Sequence, residues 1–303
     1  MKLHLAHAAA LGVLADLALG EPPATLHPLR GFGRAMRCIE RGTYRDGRVS
    51  GALYCGLGTG IGVASGLAVR SVGAATWLSV GGQKLASVAR DIEGALELGD
   101  LGSARRMLPA LVGRDPEGLD EKGIARAVVE SVAENTVDAV VAPAFWAAVA
   151  GAPGTLGYRA VNTLDAMVGH RSDRYRHYGF ASARLDDAAG WVPARLTAGL
   201  VACARPRAAG AILRVVRTQA PAHPSPNAGV AEAAFAAALG LRLGGQSRYE
   251  GRVELRPTLG VGRLPEPADI ARAIALSRDA TGALVLLLAA VGCAAKSRRR
   301  SNR

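Results

Sequence analysis

Glu130, Glu134 and Asp138 stand four residues apart in the stretch AVVESVAENTVDAVVAP, and no residue from Ala139 to Tyr158 carries a charge. That spacing sets three carboxylates along one face of a helix, drifting by about 40° per step. Arg126 precedes Glu130 by the same interval, which on a soluble helix makes an ordinary ion-paired surface. Here the helix runs on into an apolar segment. Carboxylates gathered at a membrane boundary serve function more often than decoration. A hard Mg2+ ion accepts such groups together with phosphate oxygens and water. The face is therefore predicted to serve magnesium and a phosphate-bearing ligand.

The densest polar stretch follows, from Tyr158 to Ala198, with Asn162, Asp165, His170, Arg171, Asp173, Arg174, Arg184, Asp186, Asp187 and Arg195. Interleaved Arg and Asp suit phosphates held both directly and through a metal. A salt-bridge network between helices is the plainer alternative. His170 and His177 alone make no metal site. In HPSPNAGVAEAAFAAALGLRLGG the prolines and Asn227 end a loop, and a helix is predicted from about Val230 to Leu239, stopped by Gly240. The helix N-terminus beginning at Ser225 either receives an anion on free backbone N–H groups or is simply capped.

Whatever positions these residues must suit a chain that is half hydrophobic yet carries Lys+Arg 37 against Asp+Glu 25 in 303 residues. Its mean hydropathy of +0.17 is high for a soluble protein and low for one made only of membrane helices. A polytopic membrane protein with substantial polar loops fits both. All but four of the basic residues are Arg. A genome rich in Arg codons accounts for that, and the planar guanidinium also suits phosphate. Nucleic acid is excluded as a partner, since aromatics are only 4% and no Arg/aromatic stripe is present. Cys38, Cys55, Cys203 and Cys293 are scattered, so buried thiols are expected rather than a disulfide framework or thiolate metal site. The N-terminal apolar stretch, interrupted by Asp16, is expected to be a retained first membrane helix rather than a signal peptide.

Apolar spans are predicted near 3–19, 51–80, 139–158, 188–204 and 280–295. Within the second, GLGTGIG lacks both nucleotide-binding fingerprints, and Gly58, Gly62 and Gly66 instead suit close packing of a neighbouring helix. Leu85, Val88, Ile92 and Leu96 recur at helical spacing in a soluble helix that Gly99 and Asp100 interrupt. Asp120 follows the GRDPEG loop and is placed to cap the helix that carries the opening motif. The basic tail KSRRRSNR puts the C-terminus in the cytoplasm by the positive-inside rule. The expected fold is all-α, a single membrane domain over 1–303. It has about four to six membrane helices, with a polar helical region 83–138 and polar loop regions 159–187 and 205–279 on the cytoplasmic side. RYEGRVELRP is compatible with a small hairpin, and no internal repeat is evident.

GEPPATLHPLRGFG, LVGRDPEGLD, AVVESVAENTVDAVVAP, YRAVNTLDAMVGHR, ARLDDAAGWVPARL and SPNAG…LGGQSRYEG…LGVG occur together and in order. Over nearly its whole length the chain resembles the adenosylcobinamide-phosphate synthases of cobalamin biosynthesis. The likeness weakens across Gly51–Val80 and at the ends. Ala139 stands where the family has Gly, and Gly190 where it has Asn. The resemblance implies an ATP-dependent carboxylate–amine ligase of the bacterial inner membrane. It would join a propionate carboxyl of adenosylcobyric acid to the amine of aminopropanol phosphate. Glu130, Glu134 and Asp138 are then expected on Mg2+–ATP, with Asn162 and Asp165 beside them and Ser225 and Asn227 also on the nucleotide. Arg114, Arg171 and Arg184 would bind phosphate. Asp165 or Asp186 would be a second carboxylate contribution, and Asp187 the acceptor of the amine proton. His27 and Arg195 would meet the substrates. The resemblance leaves open an association with other membrane enzymes of the pathway. Two other classes remain: a Mg-dependent membrane prenyltransferase, suggested by Asn162 and Asp165 in N-x-x-D, and a corrinoid-binding or transport protein without catalysis.

Overall fold

Long runs of Ala, Gly, Val and Leu, broken by Gly and Pro rather than by alternating polarity, leave helix as the economical way to satisfy the backbone. A computed structural model of the chain, describing residues 4–22, 28–113, 115–170, 172–249 and 252–301, bears this out. Helices α1 (Leu5–Leu19), α2 (Pro28–Thr43), α3 (Arg48–Ala68), α4 (Val72–Trp77), α5 (Gly82–Glu97) and α6 (Leu101–Met107) come first. Then follow α7 (Glu121–Thr136), α8 (Ala142–Leu164), α9 (Phe180–Ala204), α10 (Ala209–Thr218), α11 (Ala228–Leu239), the strands β1 (Leu243–Tyr249) and β2 (Arg252–Leu259), and α12 (Ala268–Ser301). The class is helical, with one antiparallel hairpin that extends the one suspected in the sequence on both sides.

Among the described residues, three helical runs are long and apolar enough to cross a membrane: Arg48–Ala68, Glu121–Gly169 and Ala268–Ser297. Two other apolar helices, α1 and α11, are shorter. The span expected near 51–80 divides, because Val69 closes α3 in an extended conformation and Ser71 caps α4 through the Ala74 N–H. The one expected near 188–204 lies in α9, where Arg184, Asp186, Asp187 and Arg195 dilute the apolar length.

The chain divides into two compact units, each assembled from separated stretches. The first comprises 1–81, 138–190 and 285–303. Within it α8 packs against α1, α3 and α4. Gly58, Gly62 and Gly66 make the α3–α8 contact possible. A Cβ on them would collide with Leu164, with Ala160 and the Leu156 carbonyl, and with Ala152 and Pro153 respectively. α8 is kinked where Gly151 takes φ 68° and ψ −151°, two residues before Pro153. Met36, Tyr54, Leu164, Val168 and Tyr178 form a buried core. The segment leading into α9 is tied to α2. Glu40 accepts from Arg174 Nη2 at 3.0 Å and from the Tyr175 hydroxyl at 2.8 Å, while the Arg174 guanidinium lies 4.1 Å above the Tyr44 ring. Burial, with Glu40 and Tyr175 nearby, pushes the Tyr178 phenol up to about 12.

The second unit comprises 82–137 and 191–284. α5 buries Leu85, Ile92 and Leu96, as their spacing predicts. Asp100 caps α6 through the Ser103 N–H, and Asp120 caps α7 through the Gly123 N–H. α11 is buried along most of its length and ends at Gly240 in the left-handed conformation. The hairpin starts with a register shift between Leu243 and Gly245. Gly244 and Gly245, at φ 83° and 89°, supply backbone that other residues rarely adopt.

Candidate active site

Two short π-helical turns position the carboxylates of the first unit. One, Val137–Val141, follows α7 and carries Asp138; the other, Asp165–Gly169, follows α8 and begins with Asp165. A π turn fits an extra residue into the helix and so re-aims its side chains. Such turns are rare and gather at functional sites. A Cβ at Gly169 would fall on the Asp165 carboxylate, which would then have to turn from its place.

Between the two turns, α8 presents Tyr158 and Asn162. The Tyr158 hydroxyl lies 3.5 Å from Asp138 Oδ1, and Asn162 Nδ2 lies 3.3 Å from Asp138 Oδ2. The same Nδ2 reaches Asp186 Oδ1 of α9 at 3.4 Å. Arg159 Nη1 donates to Asn162 Oδ1 at 3.2 Å. An arginine only donates, so this contact fixes the amide with its oxygen toward Arg159 and its NH2 toward the two carboxylates. Burial pushes the Asp186 carboxyl well above the usual carboxylate range, and the charges on Asp138 and Asp165 push it further. The Asn162 N–H opposes the shift and Asp187 adds to it. Crowded, half-buried carboxylates of this kind are relieved by a cation. Among the described residues no three His, Cys, Asp or Glu side chains converge on one metal position. A Mg2+ ion here would complete its shell with phosphate oxygens and water, as it commonly does.

The predicted residues fall in both units. Asp138, Asn162, Asp165, Asp186 and Asp187 belong to the first unit. Arg184 is there as well, exposed, 3.5 Å from Asp187 Oδ2 and stacked near the Phe180 ring. Glu130 and Glu134 belong to the second unit. Glu130 is buried and accepts the Gly244 N–H at 2.8 Å, with Arg126 Nε 3.9 Å away. Arg126 in turn donates to the carbonyls of Gly244 and Gln246. Glu130 and Arg126 therefore anchor the start of β1 to α7. Glu134 is half-buried on the same helix. His27, Arg114 and Arg171 lie outside the described residues.

Ser225, Asn227 and Arg195 form one local arrangement in the second unit. Ser225 Oγ accepts the N–H groups of Asn227 and Ala228, and the next amides bond to carbonyls of the same loop. Arg195 Nη1 donates to the Pro226 carbonyl and to Asn227 Oδ1 at 3.1 and 3.3 Å. The first amides of α11 are therefore engaged by the loop itself, which is the capping arrangement. Close by, His223 Nε2 stands 3.7 Å from Glu232 Oε1, and Arg256 Nη1 is 4.0 Å from the same oxygen. Burial pushes the His223 imidazole below its ordinary value.

Tyr158 and Arg159 escaped the sequence reading. The signal was present, since Tyr158, Asn162 and Asp165 follow one another at four and three residues and so share a helix face. Their pairing with Asp138 and Asp186 was not readable from spacing.

Fold and site define a largely helical protein with helices of membrane-crossing length and a carboxylate-rich centre ordered by an asparagine. The chain belongs to the family described as CobD/Cbib protein, whose model matches residues 9–277. It is 50% identical over 290 residues to a cobalamin biosynthesis protein CobD of Mycobacterium tuberculosis, covering 91% of this chain and 92% of the relative. Proteins of the same name from Rhodobacter capsulatus and Geobacter metallireducens are 43% and 39% identical over 305 and 301 residues. Those alignments cover 93% and 92% of this chain, and 95% and 94% of the relatives. No solved structure matches.

Proposed function

We propose that this chain acts in cobalamin biosynthesis as the inner-membrane enzyme that joins adenosylcobyric acid to aminopropanol phosphate at the expense of ATP. The basic tail supports a C-terminus in the cytoplasm, where ATP is. What supports the reading is family membership together with the pair Asp138 and Asp186 held by Asn162. An amide does not form from a carboxylate near neutral pH unless an oxygen becomes a leaving group. Bound Mg2+–ATP supplies that leaving group as phosphate. Asp138, oriented by Tyr158 and Asn162, together with Asp165, would face the magnesium ion. Asp186 and Asp187 are the two carboxylates proposed to take the proton from the attacking ammonium. Arg184 would sit near charge developing on the transferred phosphoryl group.

The test uses detergent-purified protein with adenosylcobyric acid, aminopropanol phosphate and Mg2+, with and without ATP. The corrinoid is followed by mass spectrometry and the nucleotide by ADP release. ATP-dependent amide with matching ADP is the expected result. Corrinoid bound but unconverted would refute the ligase in favour of a binding or transport role. Conversion that does not need ATP would refute the stated chemistry.

A further inference from the structure

Two polar atoms one turn apart on α8 are buried and have no hydrogen-bond partner among the described residues: Thr155 Oγ1 and Arg159 Nε. Thr155 is 0% exposed. Thr59 Oγ1 on α3 is unmet as well, but for Thr155 a local cause is visible. Thr43, Thr76, Thr136, Thr163, Thr197, Thr218 and Thr281 each return their hydroxyl to the carbonyl four residues back. For Thr155 that carbonyl belongs to Gly151, whose ψ of −151° turns it away from the helix; the helical value is about −42°. The kink thus strips a buried hydroxyl of its usual partner. Arg159 spends Nη1 on Asn162 and keeps Nε–H unused.

Thr155, Arg159 and Asn162 recur at four and three residues, so they line one ridge of α8. The opposite ridge, with Pro153, Leu156, Ala160 and Leu164, faces α3. Leaving a buried donor unmet is expensive, and the cost disappears when a ligand meets it. A fixed positive charge one helical turn from an unmet hydroxyl suits an oxyanion.

We propose that Thr155 and Arg159 receive a phosphate oxygen on this ridge, next to the carboxylates that Asn162 holds. The owner of that phosphate, the nucleotide or the phosphorylated amine, rests on the ligase reading; the oxyanion site itself does not.

The experiment is calorimetric binding of two probes to the purified full chain in detergent with Mg2+. Inorganic tripolyphosphate stands for the nucleotide, and aminopropanol phosphate is the amine itself. The wild type is expected to bind at least one of them saturably. Arg159→Met should weaken that probe about tenfold or more and Thr155→Val about threefold to tenfold, in the range of charge-assisted and neutral hydrogen bonds. Whichever probe responds identifies the phosphate's owner. Thr155→Val should leave the ligand-free unfolding midpoint unchanged or raise it, since valine keeps the shape and removes an unmet hydroxyl. If Arg159→Met fails to fold, Arg159→Lys keeps the charge and loses the Nε donor. Unchanged affinity in the variants, or no binding of either probe by the wild type, overturns the proposal. Phosphate binding through these residues without amide formation would sink the ligase and keep the site. Amide formation with unchanged affinities would do the reverse.

Discussion

Glu130 separates two accounts of the chain most sharply. The four-residue spacing makes it a magnesium group; the structure makes it the anchor of a hairpin. Glu130→Ala removes a buried carboxylate that accepts the Gly244 N–H at 2.8 Å and faces Arg126 Nε at 3.9 Å. At an effective dielectric of about 20 the attraction at that separation is about 4 kcal/mol before desolvation is counted. Removing one member of a buried pair costs about 3–5 kcal/mol, because the other charge is stranded. For a domain of 150–250 residues this lowers an unfolding midpoint by roughly 6–20 °C. Hydrogen exchange in detergent is the more pointed assay. Protection should fall in a peptide covering β1 and β2 and hold in one covering α3. Binding of Mg2+–tripolyphosphate, measured in parallel, should change little. Intact hairpin protection with lost Mg2+-dependent binding would refute the anchoring role and restore Glu130 to the metal.

Other perturbations follow from the same geometry. Asp186→Asn keeps the shape and removes the titratable carboxyl; ADP release is expected to fall by roughly a hundredfold or more while corrinoid still binds, and near-normal turnover would count against the site. Gly62→Leu meets Ala160 and the Leu156 carbonyl, whereas Gly60 has open space around it. The first should lower thermal stability by about 1–3 kcal/mol or more and Gly60→Leu hardly at all, and equal effects would refute the packing assignment. Tyr178 is raised from near 10 to about 12. Because its folded value lies above the unfolded one, the stability it contributes is complete below pH 10 and is lost as pH rises through about 12. Ultraviolet titration of phenolate should show this late step and lose it in Tyr178→Phe.

Features set by neighbours along the chain were legible in the sequence. Asp120 was placed to cap its helix and does so, while Asp100, read with Gly99 as an interruption, caps the helix that resumes after it. Gly58, Gly62 and Gly66 at intervals of four marked a close helix contact, since a missing side chain every turn has few other uses. Features made by partners far along the chain were hidden. Glu130 meets Gly244 across more than a hundred residues, and nothing near residue 130 announces it. The four-residue rule that joined Glu130, Glu134 and Asp138 assumes a regular helix. The regular turn gives way to a π turn at Val137, and Asp138 there meets Tyr158 and Asn162, which its spacing from Glu134 does not announce. The fate of Thr155 was equally unreadable, because it depends on the backbone angles of Gly151 four residues earlier.

The division of the chain among its units bears on how it is made. Besides Asp138–Gly190, the first unit draws on residues up to Gly81 and again from Val285 onward. A ribosome adding about 5–20 residues per second needs roughly 10–40 s to cover the interval between them. Through that time the early helices exist without the stretch that completes their unit, and the second unit is wholly synthesised in the gap. Both units close only near the end of synthesis, but the first has by then waited far longer for its last stretch. The early helices, made first and waiting longest for the stretch that closes their unit, are then the part most in need of a chaperone or insertase.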